Sequence, residues 1–133
     1  MDTTETYIKM CDCPEIQGLA PDKHEAIIVF SLRNDITAYH ASSVWANLDN
    51  NDAIWLPRQD QLQEMVYNPF PFSILASLMR FVFESESTRG LGTGLSGKLN
   101  PSYVHSFTSM EQLLLAFIMK EKFNKTWNGS GWE

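Results

Sequence analysis

The stretch FTSMEQLLLAFIMKEKFNKTW, Phe107 to Trp127, decides how the rest of the chain is read. Met110, Leu113, Leu114, Phe117 and Ile118 recur at the i, i+3, i+4, i+7, i+8 spacing that lines one face of an α-helix. Thr108 and Ser109 are both candidate caps, with Glu111 and Gln112 three places on, the spacing of a capping box. Lys120, Lys122 and Lys125 fall where the helix dipole favours positive charge, and Asn128-Gly129 supplies residue types that stop a helix. The spacing predicts one helix over about 109–126 as the spine of the fold.

Upstream, residues 84–106 hold four glycines within eight positions, and glycine loses the most backbone entropy on ordering. A flexible Gly-rich loop over about 85–106 is expected, of a length that is usually functional. Phe72 to Phe83 is apolar at most positions, which predicts a helix that is central or covered by a partner. Pro57 suits the first position of another helix reaching about residue 66. Ala26 to Phe30 and Ile36 to His40 read as strands about a turn at Arg33-Asn34-Asp35, and Ser43 to Leu48 as a third strand or a loop. Asp49-Asn50-Asn51-Asp52 is turn chemistry leading Ala53-Ile54-Trp55 into the core. Thr3-Thr4-Glu5 caps a short first helix that Pro14 should end, with Glu15-Ile16-Gln17 as a further turn. After the main helix, a tight turn would bring Trp127 and Trp132 together. The fold class expected is α+β: one domain over 1–133, a small antiparallel sheet from about 26–55 packed against three to four helices.

A chain of 133 residues with 44% hydrophobic and 20% charged content can bury a core of its own. No apolar run spans a bilayer and the first ten residues are acidic and polar, so a soluble, cytoplasmic protein is expected, with no membrane partner. The net charge is −6, and residues 1–64 carry it, with eleven acids against four bases. That balance argues against direct nucleic-acid binding, which needs Lys and Arg to neutralise phosphates. It suits a basic protein partner.

The chemical motifs lack their contexts. Gly92-Thr93-Gly94-Leu95-Ser96-Gly97-Lys98-Leu99 resembles part of a phosphate-binding loop. Leu99 stands where a magnesium-binding Ser or Thr is needed, and Asn100-Pro101 blocks the helix that should follow. A small-anion contact at Arg89 and Lys98 is the alternative the loop leaves open. Cys11 and Cys13, even with His24, His40 and His105, do not have structural zinc spacing, and no metal or cofactor is expected. Ser96 and His105 sit in no nucleophile signature, so no catalytic residues are assigned and the chain reads as a non-enzyme. Trp45, Trp55, Trp127 and Trp132 suit the core, or an aromatic hot spot beside the acidic half.

Three segments together carry a resemblance: Tyr7-Ile8-Lys9-Met10-Cys11 leading to Glu15-Ile16-Gln17, Trp55 to Met65 (WLPRQDQLQEM), and Phe107 to Leu113 continuing to Trp127-Asn128-Gly129. In that order they resemble a group of small uncharacterised proteins encoded by phages and prophages. The group has no assigned activity, so no residue role carries over. The resemblance implies an accessory protein acting inside a host cell by binding a host protein. A target class that fits the charge is nucleic-acid-handling defence machinery with basic channels. Asp49, Asp52, Asp60 and Glu64, with Trp55, form the binding face expected on that reading. A nucleotide or small-molecule binder using Arg89, Lys98 and the glycine loop, or a structural component of a virion or oligomer, are the alternatives.

Overall fold

The computed structural model describes residues 1–20, 29–32, 35–40, 53–66, 71–86 and 103–133. Helices dominate a mixed fold. In order they are α1 (Glu5–Cys11), α2 (Pro14–Gln17), α3 (Gln59–Met65), α4 (Pro71–Glu86) and α5 (Met110–Phe123). Between α2 and α3 lie three short strands, β1 (Val29–Leu32), β2 (Asp35–His40) and β3 (Ala53–Trp55). β1 pairs antiparallel with β2 on one side and with β3 on the other, in the order β2-β1-β3. The β1/β2 register runs from Val29 opposite His40 to Leu32 opposite Asp35, with an irregularity after Ser31. The segment expected as a third strand or loop, 43–48, and the turn at 49–52 lie outside the described residues.

α5 is the centre of the packing and touches α1, α3 and α4. Six consecutive residues, Leu114 to Met119, are buried, so its middle turns are enclosed on every side. Its first turn departs from the expected stripe: Met110 is exposed, while Glu111 and Gln112 turn inward. They do so because the start of the chain folds over them. The Met1 amino group lies 3.3 Å from Glu111, and the Gln112 amide donates to the Asp2 carboxylate at 2.7 Å. Asp2 also accepts from Ser109 Oγ at 2.5 Å and from the Thr4 amide at 2.8 Å. Ser109 is the N-cap, its Oγ accepting from the Gln112 amide N–H at 3.1 Å.

The helix ends earlier than 126. Asn124 takes a left-handed conformation, φ 53°, and the following Lys125 N–H donates back to Met119 O at 3.1 Å. That is the geometry of a C-cap, and asparagine is among the few residues that accept it. Asn128-Gly129, expected to stop the helix, instead builds a tight turn. Asn128 Oδ1 accepts from the amides of Ser130 and Gly131, and Gly129 supplies φ 100°. The turn sets the Trp127 and Trp132 rings 5.1 Å apart.

Two other helices differ from expectation at their starts and ends. Pro57 precedes α3 rather than opening it: its carbonyl accepts from the Tyr7 phenol at 2.6 Å, and Arg58 is the N-cap. Gln61 Oε1 accepts from the Arg58 amide at 3.0 Å, half of a capping box. α4 begins at Pro71 and runs through Glu86, so Ser85 and Glu86 belong to a helix rather than a loop. Val104–Ser106, also placed in the loop, form a short 3₁₀ turn. Residues 87–102 of that loop, with its glycines, lie outside the described residues. No helix among the described residues is long and apolar enough to cross a membrane.

Candidate functional site

Residues 53–65 run from strand into helix, and the first two helices hold that connection in place. The Gln17 side chain grips both backbone groups of Trp55, accepting from its N–H at 2.9 Å and donating to its C=O at 3.1 Å. The same amide donates to Cys11 O at 2.8 Å, tying α1, α2 and β3 together. Tyr7 likewise holds the carbonyl of Pro57, just before α3, which packs against α5. Leu62 faces inward, while Gln59, Asp60, Gln63 and Glu64 face solvent.

An open cleft of about 230 Å³ lies beside this helix, lined by Leu19, Trp55, Gln61, Glu64 and Met65. Its floor is apolar and Glu64 is on its rim. Leu19 is 40% exposed, while Trp55 is 1% exposed. The Trp55 indole N–H is buried with no hydrogen-bond partner among the described residues. Asp60 is tied to Arg58 through two contacts, Nε at 3.0 Å and Nη2 at 2.8 Å. These hydrogen bonds hold the Asp60 carboxyl below its usual range and raise Arg58.

Of the expected binding residues, Asp60 and Glu64 share the exposed face of α3. Trp55 does not share it: the ring belongs to the core and serves the cleft only as its inner wall. Asp49 and Asp52, and the anion-binding alternative Arg89 and Lys98, lie outside the described residues. Sequence reading missed Leu19, Gln61 and Met65. Only Gln61 left a trace, three residues after Arg58 at the capping-box spacing.

The other candidate chemistry resolves at the thiols. Cys11 and Cys13 are free and buried. Burial pushes the Cys11 thiol well above its ordinary range and Cys13 up to about 11, so both stay protonated and unreactive. Among the described residues no group of three or more His, Cys, Asp or Glu could hold a metal ion. His105 is exposed on the 3₁₀ turn. Site and fold together define a small, helix-dominated mixed α and β protein with a surface cleft between a carboxylate-bearing helix and the end of a strand. Compared with family models, curated proteins and solved structures, the chain matches none.

Proposed function

We propose that this chain is a phage- or prophage-encoded accessory protein that acts in the host cytoplasm by occupying a basic surface of a host protein. It works by binding rather than by catalysis. The observation that carries the reading is the exposed face of α3, where Glu64 stands at the rim of a cleft with an apolar floor. A lysine or arginine buries its aliphatic stem on apolar surface while its charge stays at the edge, and this cleft offers both parts. The chain's acidity favours approach to a basic target such as a nucleic-acid-binding channel of defence machinery. In this reading the paired strands form a layer packed against the helices, and Asp60 and Glu64 supply the described part of the acidic face.

The test is affinity capture from nuclease-treated host lysate across a salt series, with Glu64→Lys alongside. A basic protein should be retained at low salt and shed at high salt. The charge reversal should weaken its binding by about tenfold or more, the equivalent of roughly 1.4 kcal/mol. Retention unchanged by Glu64→Lys would overturn the reading.

A further inference from the structure

Away from the cleft, the turn at residues 128–131 holds a reactive group. Asn128-Gly129 is the one Asn-Gly pair in the sequence, and Asn128, Gly129 and Ser130 are all exposed. The backbone nitrogen after an asparagine can attack the side-chain amide carbon and close a five-membered ring. Glycine, having no Cβ, leaves that nitrogen most open to approach. The folded turn adds what a bare Asn-Gly pair lacks. Asn128 Oδ1 accepts from the Ser130 N–H at 3.0 Å, from Ser130 Oγ at 3.0 Å and from the Gly131 N–H at 2.9 Å. Asn128 Nδ2 donates to a Glu133 carboxylate oxygen at 3.2 Å, so the amide is held with its oxygen towards the three donors. Donors gathered on an oxygen that turns negative in the transition state stabilise it, as in an oxyanion hole. No acceptor among the described residues holds the Gly129 N–H, which keeps that nitrogen available. Asn124 provides the contrast: the Lys125 N–H that follows it already donates to Met119 O at 3.1 Å.

We propose that Asn128 is a site of spontaneous deamidation, activated by its own turn, and that the isoaspartate it forms frees the closing turn from α1. The Gly129 nitrogen gives its proton to hydroxide and bonds to Asn128 Cγ, moving the carbonyl electron pair onto Oδ1. Collapse of that oxyanion breaks the Cγ–Nδ2 bond, and Nδ2 takes a proton from water and leaves as ammonia, regenerating hydroxide. Water then opens the succinimide ring. Attack at Cγ gives aspartate, whereas attack at the main-chain carbonyl gives isoaspartate. The balance is one water in and one ammonia out, so an oxygen replaces an NH. In isoaspartate the main chain runs through the former side chain and is longer by a methylene. The Cγ carbonyl that gathered Ser130 and Gly131 then belongs to the main chain, and the turn it built is lost. Two contacts depend on that turn: the pairing of Trp127 with Trp132, and the Trp132 indole N–H donated to Met10 O at 2.8 Å.

The full chain, incubated in mildly alkaline buffer and mapped by peptide mass, should show O for NH at Asn128 while Asn124 stays intact. Methyl transfer from S-adenosylmethionine by an isoaspartate methyltransferase should mark the product as isoaspartate. Ser130→Ala removes the Oγ donor at an exposed position and should slow the reaction about fivefold, the factor that one hydrogen bond is worth. The modified chain should be cut by trypsin after Lys125 on the order of tenfold faster than the native chain, because the segment beyond it opens. Intact Asn128 after prolonged incubation, equal modification at Asn124, or an unslowed Ser130→Ala would each overturn the activated site. Aspartate as the sole product, or equal cleavage of modified and native chains, would overturn the release from α1.

Discussion

Gln17 makes three hydrogen bonds to backbone groups, two of them on a residue 38 positions away in the chain. Gln17→Ala would leave the Trp55 N–H and two carbonyls to find other partners in a half-buried setting. A loss of about 2–3 kcal/mol is expected, seen as a lower denaturant midpoint at unchanged slope. Tyr7→Phe removes one bond and should cost about 1 kcal/mol in the same measurement. Neither role was readable from sequence. Tyr7 and Gln17 sit in segments whose local pattern announces only short helices, and their partners lie 38 and 50 residues downstream. The fate of Trp55 was readable in part: its strand is short and apolar, which placed it in the core, but no local signal showed that its indole N–H would find no partner among the described residues.

At the scale of elements, periodicity served best where packing and local preference agree. The spacing of Leu114, Phe117 and Ile118 found α5, and Ser109 is one of the two caps, with Thr108, that the sequence offered. The far end was misread because Asn124 and Asn128-Gly129 are both chemically able to stop a helix, and only the backbone decides between them. The left-handed Asn124 gives that decision a test. Asn124→Gly should be neutral or slightly stabilising, whereas Asn124→Val should lower stability by about 1–2 kcal/mol in thermal melts, since a β-branched side chain resists positive φ. α4 was legible as an apolar helix from Phe72 onward. Which of its faces meets the core depends on Phe117 and Tyr103, far along the chain, and no helical pattern in α4 itself carries that information.

For the molecule as a whole, stability should fall away on both sides of neutral pH. Burial opposes the charge on Asp2, but hydrogen bonds from Ser109, Thr4 and Gln112 outweigh it and hold its folded pKa below the ordinary 3.8. Hydrogen bonding to Lys125 likewise lowers Glu15 below 4.5. A carboxyl depressed by folding stabilises fully above its unfolded pKa and loses that contribution as pH drops through the folded one. The acid limb should therefore begin near pH 4.5 and steepen below 3.8. On the alkaline side the unfolded thiol of Cys13 ionises around its ordinary 9.0, while the folded one resists to about 11. Unfolding then releases protons, so stability should decline as pH climbs through that interval; burial of the Tyr7 phenol extends the decline. Chemical denaturation across pH would trace both limbs, and a flat profile from 3 to 11 would contradict this account.

The closing turn of the chain has a spectroscopic consequence. The indoles of Trp127 and Trp132 meet at 5.1 Å with their planes inclined at 61°, neither parallel nor perpendicular. Two identical chromophores so close and so inclined couple their excited states, and the coupled pair gives a bisignate band in far-ultraviolet circular dichroism. Trp132 also donates its indole N–H to Met10 O at 2.8 Å, so the band depends on the tail lying against the first helix. The protein thus carries an optical signature of its own C-terminal docking, with no label attached.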